Sequence, residues 1–372
     1  MLLASQLRRN AFRSLRLLDV PAVMAQARFA DLRRRYYDRY WLKAAQELGA
    51  TCLKWDYGYH RLIRNGVTII VRGPEVRLDD HLTLDLMGNK WLTYQLLADL
   101  DVPVPRHVRF GIGNVSQAEA LLKSTGRPLV VKPAAGTGGG RGVTTGITDA
   151  TGLRRAALGA ARFDPDLLAE EQIEGHSYRL LFLDGRMIDA IRRDPPRVTG
   201  DGRKTIQALV NEENRKRLAG TGFTALSPLE LDRDAMLYLA AQKLSPRAVP
   251  TPAETVVVKR AVNQNSAAEN HVVRTMVHPA TVALCARLVT RLGVRLAGVD
   301  IIAHDISAPL ERGNGLIGEI NTTPGLHHHD LVAEAAEGPS VAAMLAKYLL
   351  DEAEAAMDRA AATPSFLRVV AG

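Results

Sequence analysis

The sequence predicts an α+β fold. Its predicted strands and helices follow one another without the strict strand–helix–strand alternation that a doubly wound parallel sheet requires. Asn65-Gly66 and Asp184-Gly185 have the chemistry of two-residue hairpin turns, which join neighbouring strands directly. With 372 residues, the chain is long enough for two or three packed subdomains.

The overall composition is typical of a globular protein, with 47% hydrophobic and 24% charged residues. The sequence has no apolar run of membrane-spanning length and no secretory signal, so we expect no membrane span. Cys52 and Cys285 lie far apart and lack metal-ligand spacing. We therefore expect two buried thiols and a cytoplasmic protein.

Much of the net charge of +8 lies in the first forty residues. Such an arginine-rich stretch could bind nucleic acid or an anionic membrane, or could serve as a transit peptide. However, it runs without a break into Trp41, Leu42 and Ala45, which indicates the solvated face of one folded helix. It also lacks interleaved base-stacking aromatics beyond Tyr36 and Tyr37, so we expect no nucleic-acid partner.

Residues 1–85 are predicted to be helical at first and α/β afterwards. A helix over residues 26–49 ends at Gly49, and a strand begins at Leu53. Residues 59–64 and 67–72 form a predicted hairpin around Asn65-Gly66, because both central residues of this turn need positive φ.

Residues 86–165 are predicted to form a subdomain that carries a glycine-rich loop. Ser116 and Glu119 have the spacing of a capping box, which predicts a helix over residues 116–123 that Gly126 terminates. The other elements predicted here are a helix at 91–100 and strands at 129–131 and 143–147.

Residues 166–340 are predicted to form the core, and residues 341–372 a closing helix and tail. The predicted strands are 167–173, 178–183, 186–192, 255–259, 271–275, 297–303 and 315–321. The predicted helices are 205–217, 280–292 and 340–357.

Lys132 is delivered by a buried strand directly into the glycine-rich loop. The glycines of this loop are Gly136, Gly138, Gly139, Gly140 and Gly142. Glycines let successive backbone N–H groups approach an anion, and the lysine adds a point charge. The motif lacks both the P-loop ending and the helix of a dinucleotide fingerprint. It indicates phosphate binding, with a mobile surface hairpin as the alternative.

Three oxygen-bearing side chains lie on two predicted strands. Glu319 and Asn321 are two residues apart and so share a face, and Asp300 joins them if the two strands pair. Such oxygen ligands suit Mg²⁺. The alternative for a single buried aspartate is a structural role, but three converging oxygens are harder to explain that way.

The order of these motifs resembles the ATP-grasp superfamily, and in particular the ATP-grasp domain of cyanophycin synthetase and related carboxylate–amine ligases. The resemblance covers residues 88–325. Its motifs are Lys90, Val131-Lys132-Pro133, the glycine-rich loop, residues 169–175, residues 200–206, Asn211, His278-Pro279, Gly298-Val299-Asp300 and residues 319–325. The resemblance implies two α+β subdomains that clamp ATP, with a smaller N-terminal α/β domain.

The resemblance also implies roles for individual residues. Lys90 and Lys132 would hold the ATP phosphates, and the glycine-rich loop would close over them. Glu170, Glu171 and Ile173 would form the adenine hinge. Glu174 or His176 would bind the ribose, because Ser177 replaces the usual acid. Asp300, Glu319 and Asn321 would bind one or two Mg²⁺, and Arg179, Arg260 and Lys132 would be catalytic.

The implied substrate residues are Asn263, Asn265, Ser266 and His327. The segment around Asn263 departs from the family pattern Asn-x-Ser-x-Gly-Gly, and only one set of ligase motifs is present. In the family, the position of His327 borders the acceptor pocket, where one histidine would contact a substrate carboxylate. The alternatives for His327-His328-His329 are a solvated loop and a zinc site, which opposite-facing residues of a strand disfavour.

Together these features predict an ATP-dependent carboxylate–amine ligase that acts on an amino acid or short peptide through an acyl phosphate, releasing ADP and phosphate. The alternatives are a ligase that adds amino acids to a protein or peptide tail and a non-catalytic nucleotide-binding protein. The retention of Lys132, Asp300, Glu319 and Asn321 together argues against the latter. Because dimers are common among related ligases, a homodimer is one expected assembly.

Overall fold

A computed structural model describes residues 20–135, 140–219, 222–311, 313–334 and 338–362. In these ranges the helices are α1 Val20–Glu47, α2 His81–Met87, α3 Lys90–Asp99, α4 Ser116–Thr125, α5 Ala150–Ala161, α6 Ile206–Leu218, α7 Arg233–Ala241, α8 Pro279–Arg291 and α9 Val341–Ala362. The strands are β1 Thr51–Lys54, β2 Tyr59–Arg64, β3 Val67–Arg72, β4 His107–Phe110, β5 Leu129–Pro133, β6 Thr144–Ile147, β7 Leu167–Glu171, β8 His176–Leu183, β9 Arg186–Arg193, β10 Arg197–Thr199, β11 Thr255–Val257, β12 Asn270–Val272, β13 Leu296–Ala303 and β14 Gly315–Asn321. The strand pairs are antiparallel, which confirms the α+β class.

The N-terminal unit combines α1, the sheet β1-β2-β3 and α9 around one hydrophobic core. The predicted hairpin is confirmed, with Asn65 at φ 49° and Gly66 at φ 80° between β2 and β3. Trp41 is fully buried, and its indole nitrogen donates to the carbonyl of Gly73 at 2.9 Å. The C-terminal helix α9 therefore packs into the same core as the N-terminal helix.

The second unit is a four-stranded sheet in the order β4-β7-β5-β6, which α4 and α5 cover. The capping box predicted at Ser116 and Glu119 is wrong. The residue that caps α4 is Val115, which makes no side-chain capping bond. Its own φ of −55° and ψ of −25° are already helical, because a 3₁₀ turn over Ile112–Asn114 leads directly into the helix. Gly126 ends the helix at φ 61°, as predicted.

The central sheet has five strands in the order β12-β9-β8-β13-β14. One face packs against α3 and α8 through an apolar core that includes Leu97, Phe182, Leu288 and Val299. The predicted pairing of β13 with β14 is confirmed, and it places Asp300 directly opposite Glu319. This sheet consequently carries the predicted metal ligands on a rigid, antiparallel support.

A small unit joins strands β10 and β11 with helices α6 and α7. Helix α7 follows the capping residue Asp232 and was not predicted from the sequence. Its buried Asp234 accepts hydrogen bonds from the backbone nitrogens of Thr145 (2.9 Å) and Ala261 (3.2 Å). Asp234 thereby fixes this unit against β6, next to the glycine-rich loop.

The two cysteines are free thiols. Cys285 is buried in the core beneath the central sheet, as predicted, whereas Cys52 is only partly buried on β1. Among the helices in the described ranges, none combines the length and apolarity that crossing a bilayer requires.

Candidate active site

Two buried lysines from different elements meet at the seam between the four-stranded and the five-stranded sheets. Lys132 comes from β5, and Lys90 is the first residue of α3, behind the capping residue Asn89. The backbone nitrogen of Lys90 donates to the carbonyl of Ala134 at 2.8 Å, which ties the start of α3 to the end of β5. Both predicted phosphate-binding lysines therefore lie beside the start of the glycine-rich loop.

Each lysine is paired with a carboxylate. Lys132 Nζ lies 2.7 Å from Glu170 Oε2, and Lys90 Nζ lies 3.0 Å from Glu319 Oε1. The hydroxyl of Tyr94 lies 2.8 Å from Glu170 Oε2 and 2.9 Å from the carbonyl oxygen of Gly318. Tyr94 thus connects the two sheets. Glu170, which was predicted to belong to the adenine hinge, forms an ion pair with a lysine.

Asp300 is the most heavily contacted acid of the site. Arg179, directly opposite it on β8, donates from Nε and Nη2 to its two oxygens at 2.6 and 2.7 Å. Arg193 on β9 lies 3.2 Å from Asp300 Oδ2, and Asn321 Nδ2 donates to the same oxygen at 3.3 Å. A planar guanidinium that grips both carboxylate oxygens is among the stronger polar contacts in proteins.

These contacts keep the acids ionised despite their burial. Burial alone would raise the pKa of Asp300, but Arg179 and Arg193 hold it below its usual value. Burial likewise opposes the charge of Glu319, yet Lys90 keeps the pKa of this carboxyl low, with a further contribution from Lys132. For Arg193, burial and the neighbouring Arg179 lower the pKa to about 10.

The predicted metal ligands converge as expected. Asp300 and Glu319 face each other across β13 and β14, and Asn321 lies opposite Gly298 on the same pair of strands. Two ionised carboxylates and one amide oxygen form a donor set that suits Mg²⁺, which accepts few protein ligands and keeps several waters. The residues present therefore fit the predicted metal.

The glycine-rich loop is described only at its end. Gly136, Gly138 and Gly139 lie outside the described residues. Gly140 and Gly142 have φ of 64° and 78°, which disfavour other residues. A side chain at Gly142 would overlap the ring of Phe163, at 2.7 Å from its β-carbon, and one at Gly140 would overlap Asn263. The loop end and the predicted substrate residue Asn263 are therefore in direct proximity.

The predicted adenine hinge begins in the last two residues of β7 and continues beyond the strand. The backbone nitrogen of Arg106 donates to Glu171 Oε1 at 3.1 Å, and Ile173 is partly exposed. Glu174, the predicted ribose ligand, is exposed and lies 2.9 Å from Arg260 Nη1. The guanidinium of Arg260 lies 5.5 Å from the ring centroid of Tyr238. The structure thus brings Arg260 to the hinge segment through Glu174.

The predicted substrate residues Asn265 and Ser266 are buried in a polar cluster. The backbone nitrogen and hydroxyl of Ser266 donate to Glu269 Oε2 at 2.5 and 2.8 Å. Asn265 Nδ2 bonds to Asn270, which lies opposite Arg193 in the sheet register. Within the described ranges, Asn265 Oδ1 is buried and has no hydrogen-bond partner. The hydroxyl of Ser266 is consequently used within its own turn, whereas Oδ1 of Asn265 remains available as an acceptor.

The three consecutive histidines form a 3₁₀ turn over Leu326–His329, so their side chains do not alternate as they would on a strand. Their rings have different partners: His327 Nδ1 lies 3.1 Å from the Tyr37 hydroxyl, and His329 Nδ1 lies 2.6 Å from Asp189 Oδ2. The described ranges contain no group of three His, Cys, Asp or Glu side chains placed to hold a metal. These partners disfavour the zinc alternative.

Sequence reasoning missed three residues of this site. Arg193 is buried, and its Nε has no hydrogen-bond partner within the described ranges. Tyr94 bridges the sheets, and Tyr37 reaches the site from α1. Arg193 ends β9 next to Arg192, and this pair of arginines gives no local signal of which one is buried. The positions of the two tyrosines depend on tertiary packing.

Comparisons with known proteins agree with this architecture. The chain is 33% identical over 250 residues to cyanophycin synthetase from Trichormus variabilis, which is 67% of this chain and 27% of that protein. It is 25% identical over 268 residues to the glutathione biosynthesis bifunctional protein GshAB of Clostridium perfringens, which is 71% of this chain and 34% of that protein. The crystal structure of a bifunctional glutathione synthetase from Pasteurella multocida matches 82% of this chain and 42% of its own, with a TM-score of 0.51 and 20% identity. No family model matches the chain.

These alignments confirm the resemblance to the ATP-grasp ligases that the motifs carry, and the match to the glutathione synthetase shows a common fold. Within that class, it is homologous to the cyanophycin synthetases and the bifunctional glutathione biosynthesis proteins. The chain spans about a quarter of the length of the cyanophycin synthetase that it matches.

Proposed function

We propose that the protein is an ATP-dependent carboxylate–amine ligase that forms an amide or peptide bond. The observation that carries this proposal is the convergence of Lys90 and Lys132 on the same seam as the carboxylates of Asp300 and Glu319. Two buried cations suit the phosphates of ATP, and two adjacent acids suit the metal that accompanies them.

The proposed ligands follow from this geometry. Asp300, Glu319 and Asn321 would hold one or two Mg²⁺, which supply charge neutralisation for the phosphate oxygens. Lys90 and Lys132 would exchange their present carboxylate partners for phosphate oxygens of ATP. The hinge from Glu170 to Glu174 would border the adenine and ribose. The similarity to ligases of the same fold supports these assignments.

In the proposed reaction, an oxygen of the substrate carboxylate attacks the γ-phosphorus of ATP, and the bond between this phosphorus and the β,γ-bridging oxygen breaks. ADP leaves, and an acyl phosphate forms. The amine then attacks the acyl carbon, phosphate departs with the C–O electron pair, and the amine loses a proton. The protein positions the groups and neutralises the developing charge.

Individual residues would serve these steps in different ways. Lys90 and Lys132 would balance charge on the transferred phosphoryl group, and Arg179 would hold Asp300 in place. Arg260 would stabilise the tetrahedral oxyanion after moving from its contact with Glu174. The glycine-rich loop would exclude water, which protects the acyl phosphate from hydrolysis.

The proposed substrates are an amino acid or a short peptide, as the names of the homologues suggest. Their exact identity is not carried over from a homologue of which this chain matches 27%. The proposal also includes a cytoplasmic enzyme, which the two free thiols support, and a homodimeric assembly.

The test is ADP release by the purified protein with Mg-ATP against a panel of amino acids and dipeptides, with products identified by mass spectrometry. We expect amine-dependent ADP release and a product whose mass is the sum of two substrates minus one water. Glu319→Ala should abolish both. A protein that fails to bind Mg-ATP and releases no ADP with any pair would disprove the proposal.

A further inference from the structure

Helix α1 contacts the segment that follows the predicted metal strand. The hydroxyl of Tyr37 lies 3.1 Å from His327 Nδ1, and the ring centroids of the two residues lie 6.2 Å apart in an edge-on arrangement. The adjacent Tyr36 makes a second contact, in which its Oη donates to Asp330 Oδ2 at 2.5 Å. Both tyrosines are buried. The N-terminal helix therefore forms one wall of the loop that carries the histidines.

The contact with Tyr37 determines which nitrogen of His327 carries the proton. Burial raises the pKa of Tyr37, so its hydroxyl keeps its hydrogen. Within the described ranges, the recorded hydrogen bond of this hydroxyl is the one with Nδ1. A buried O–H without an acceptor is costly, so the hydroxyl donates to Nδ1. A neutral imidazole that accepts at Nδ1 is protonated at Nε2.

The positive charges around His327 keep its imidazole neutral and favour the binding of an anion beside it. Burial, followed by the charges of Arg179 and Arg33, lowers the pKa of His327 to about 3. Arg193 acts in the same direction. His327 is partly exposed, and within the described ranges the recorded hydrogen bond of its ring is the one at Nδ1. Among the described residues its Nε2–H has no recorded partner, and the charges of Arg179, Arg33 and Arg193 favour an anion beside it.

We propose that Tyr37 is a positioning residue that holds His327 in the Nε2–H tautomer, so that this N–H binds a carboxylate of the substrate. This inference rests on the proposed function. It concerns the carboxylate that is not activated, such as the α-carboxylate of the amine substrate. The activated carboxylate must meet ATP beside Lys90 and Lys132, whereas the ring of His327 lies against Tyr36 and Tyr37 of α1.

Tyr37→Phe is the central variant, and Tyr40→Phe is its matched control. Tyr40 is buried on the same helix, and its hydroxyl has no hydrogen-bond partner within the described ranges. The tautomer of His327 can be read by ¹⁵N NMR of protein labelled at histidine, with His327→Gln assigning the resonance. We expect the Nε2–H form in the wild type and in Tyr40→Phe, and a mixture of tautomers in Tyr37→Phe.

The kinetic readout separates binding from chemistry. Loss of a hydrogen bond to a charged group predicts a KM for the amine substrate raised by about tenfold in Tyr37→Phe, with kcat nearly unchanged. Replacing the substrate carboxylate by a carboxamide should lower the apparent affinity of the wild type and have little effect on Tyr37→Phe. Tyr40→Phe should match the wild type in both assays.

A double variant tests whether Tyr37 acts through the ring of His327. Glutamine offers an N–H donor without tautomers, so His327→Gln and His327→Gln/Tyr37→Phe should have the same KM. An unchanged tautomer in Tyr37→Phe, or additive effects in the double variant, would overturn the inference. Because NMR needs no turnover, its outcome stands even if the protein has no ligase activity, and the two proposals can fail separately.

Discussion

Arg179 donates hydrogen bonds to both oxygens of Asp300, from Nε to Oδ1 at 2.6 Å and from Nη2 to Oδ2 at 2.7 Å. Arg193 approaches the same carboxylate from the neighbouring strand at 3.2 Å. One buried acid thus balances two buried guanidiniums. If Asp300 also binds a metal, it changes partners during the reaction cycle, and the arginines become available to anionic groups of the substrates.

Asp300→Asn should destabilise the protein as well as inactivate it. Removing one member of a buried ion pair leaves charge uncompensated, which typically costs about 3 kcal/mol or more. We expect urea unfolding to show such a loss and ADP release to fall to background. Asp305→Asn is the control, since Asp305 is exposed two residues beyond β13 and hydrogen-bonds Ser307. An Asp300→Asn protein with normal turnover would contradict the metal assignment.

Lys90→Met and Lys132→Met should weaken ATP binding. Each change keeps most of the apolar stem and removes the charge that we assign to phosphate contact. We expect the Kd for Mg-ATP, measured by calorimetry, to rise by about tenfold or more in each variant. Lys123→Met, at an exposed position near the end of α4, should leave the Kd unchanged. Equal affinities in all four proteins would remove the lysines from the nucleotide site.

Arg260→Met should affect turnover more than stability. The pair of Arg260 with the exposed Glu174 contributes little to folding, as is usual for such ion pairs. Loss of a donor to the oxyanion typically lowers kcat by about 100-fold or more. Arg197→Met removes another partly exposed arginine on β10 and serves as the control. A normal kcat in Arg260→Met would show that this residue does not stabilise the reacting centre.

Stability should fall when the pH drops below the ordinary histidine range. Burial lowers the pKa of His327 in the folded protein to about 3. In the unfolded chain this histidine is protonated near its ordinary pKa of about 6.5. Between these two values the unfolded state holds more protons, and lowering the pH favours unfolding. For this one group, we expect a loss on the order of 1 kcal/mol at pH 5.5 relative to pH 7.5.

His327→Gln provides the comparison for this pH dependence. Glutamine does not titrate, so the variant should lose less stability than the wild type between the two pH values. Urea unfolding of both proteins at each pH gives the difference directly. His328 adds to the wild-type slope in the same direction, because burial and His327 place its pKa well below the usual value. Parallel pH profiles would show that the folded protein does not hold His327 neutral.

Much of the fold could be predicted because its signals are local. The Asn65-Gly66 hairpin, the end of α4 at Gly126 and the strands that carry Asp300 and Glu319 depend on turn chemistry and on runs of apolar residues. Capping was less predictable. Ser116 has the right partner at the right spacing, but the preceding 3₁₀ turn makes the backbone helical before it.

The sequence by itself determined the inventory of the site: two lysines, a glycine-rich loop and three oxygen ligands, in the order that the ATP-grasp ligases share. Only the tertiary structure decided how these groups pair. Lys132 meets Glu170, Lys90 meets Glu319, and Tyr37 reaches His327 from a position 290 residues earlier in the chain. The physical reason is that residue type and spacing govern local conformation, whereas contacts between distant residues depend on how the separate cores pack together.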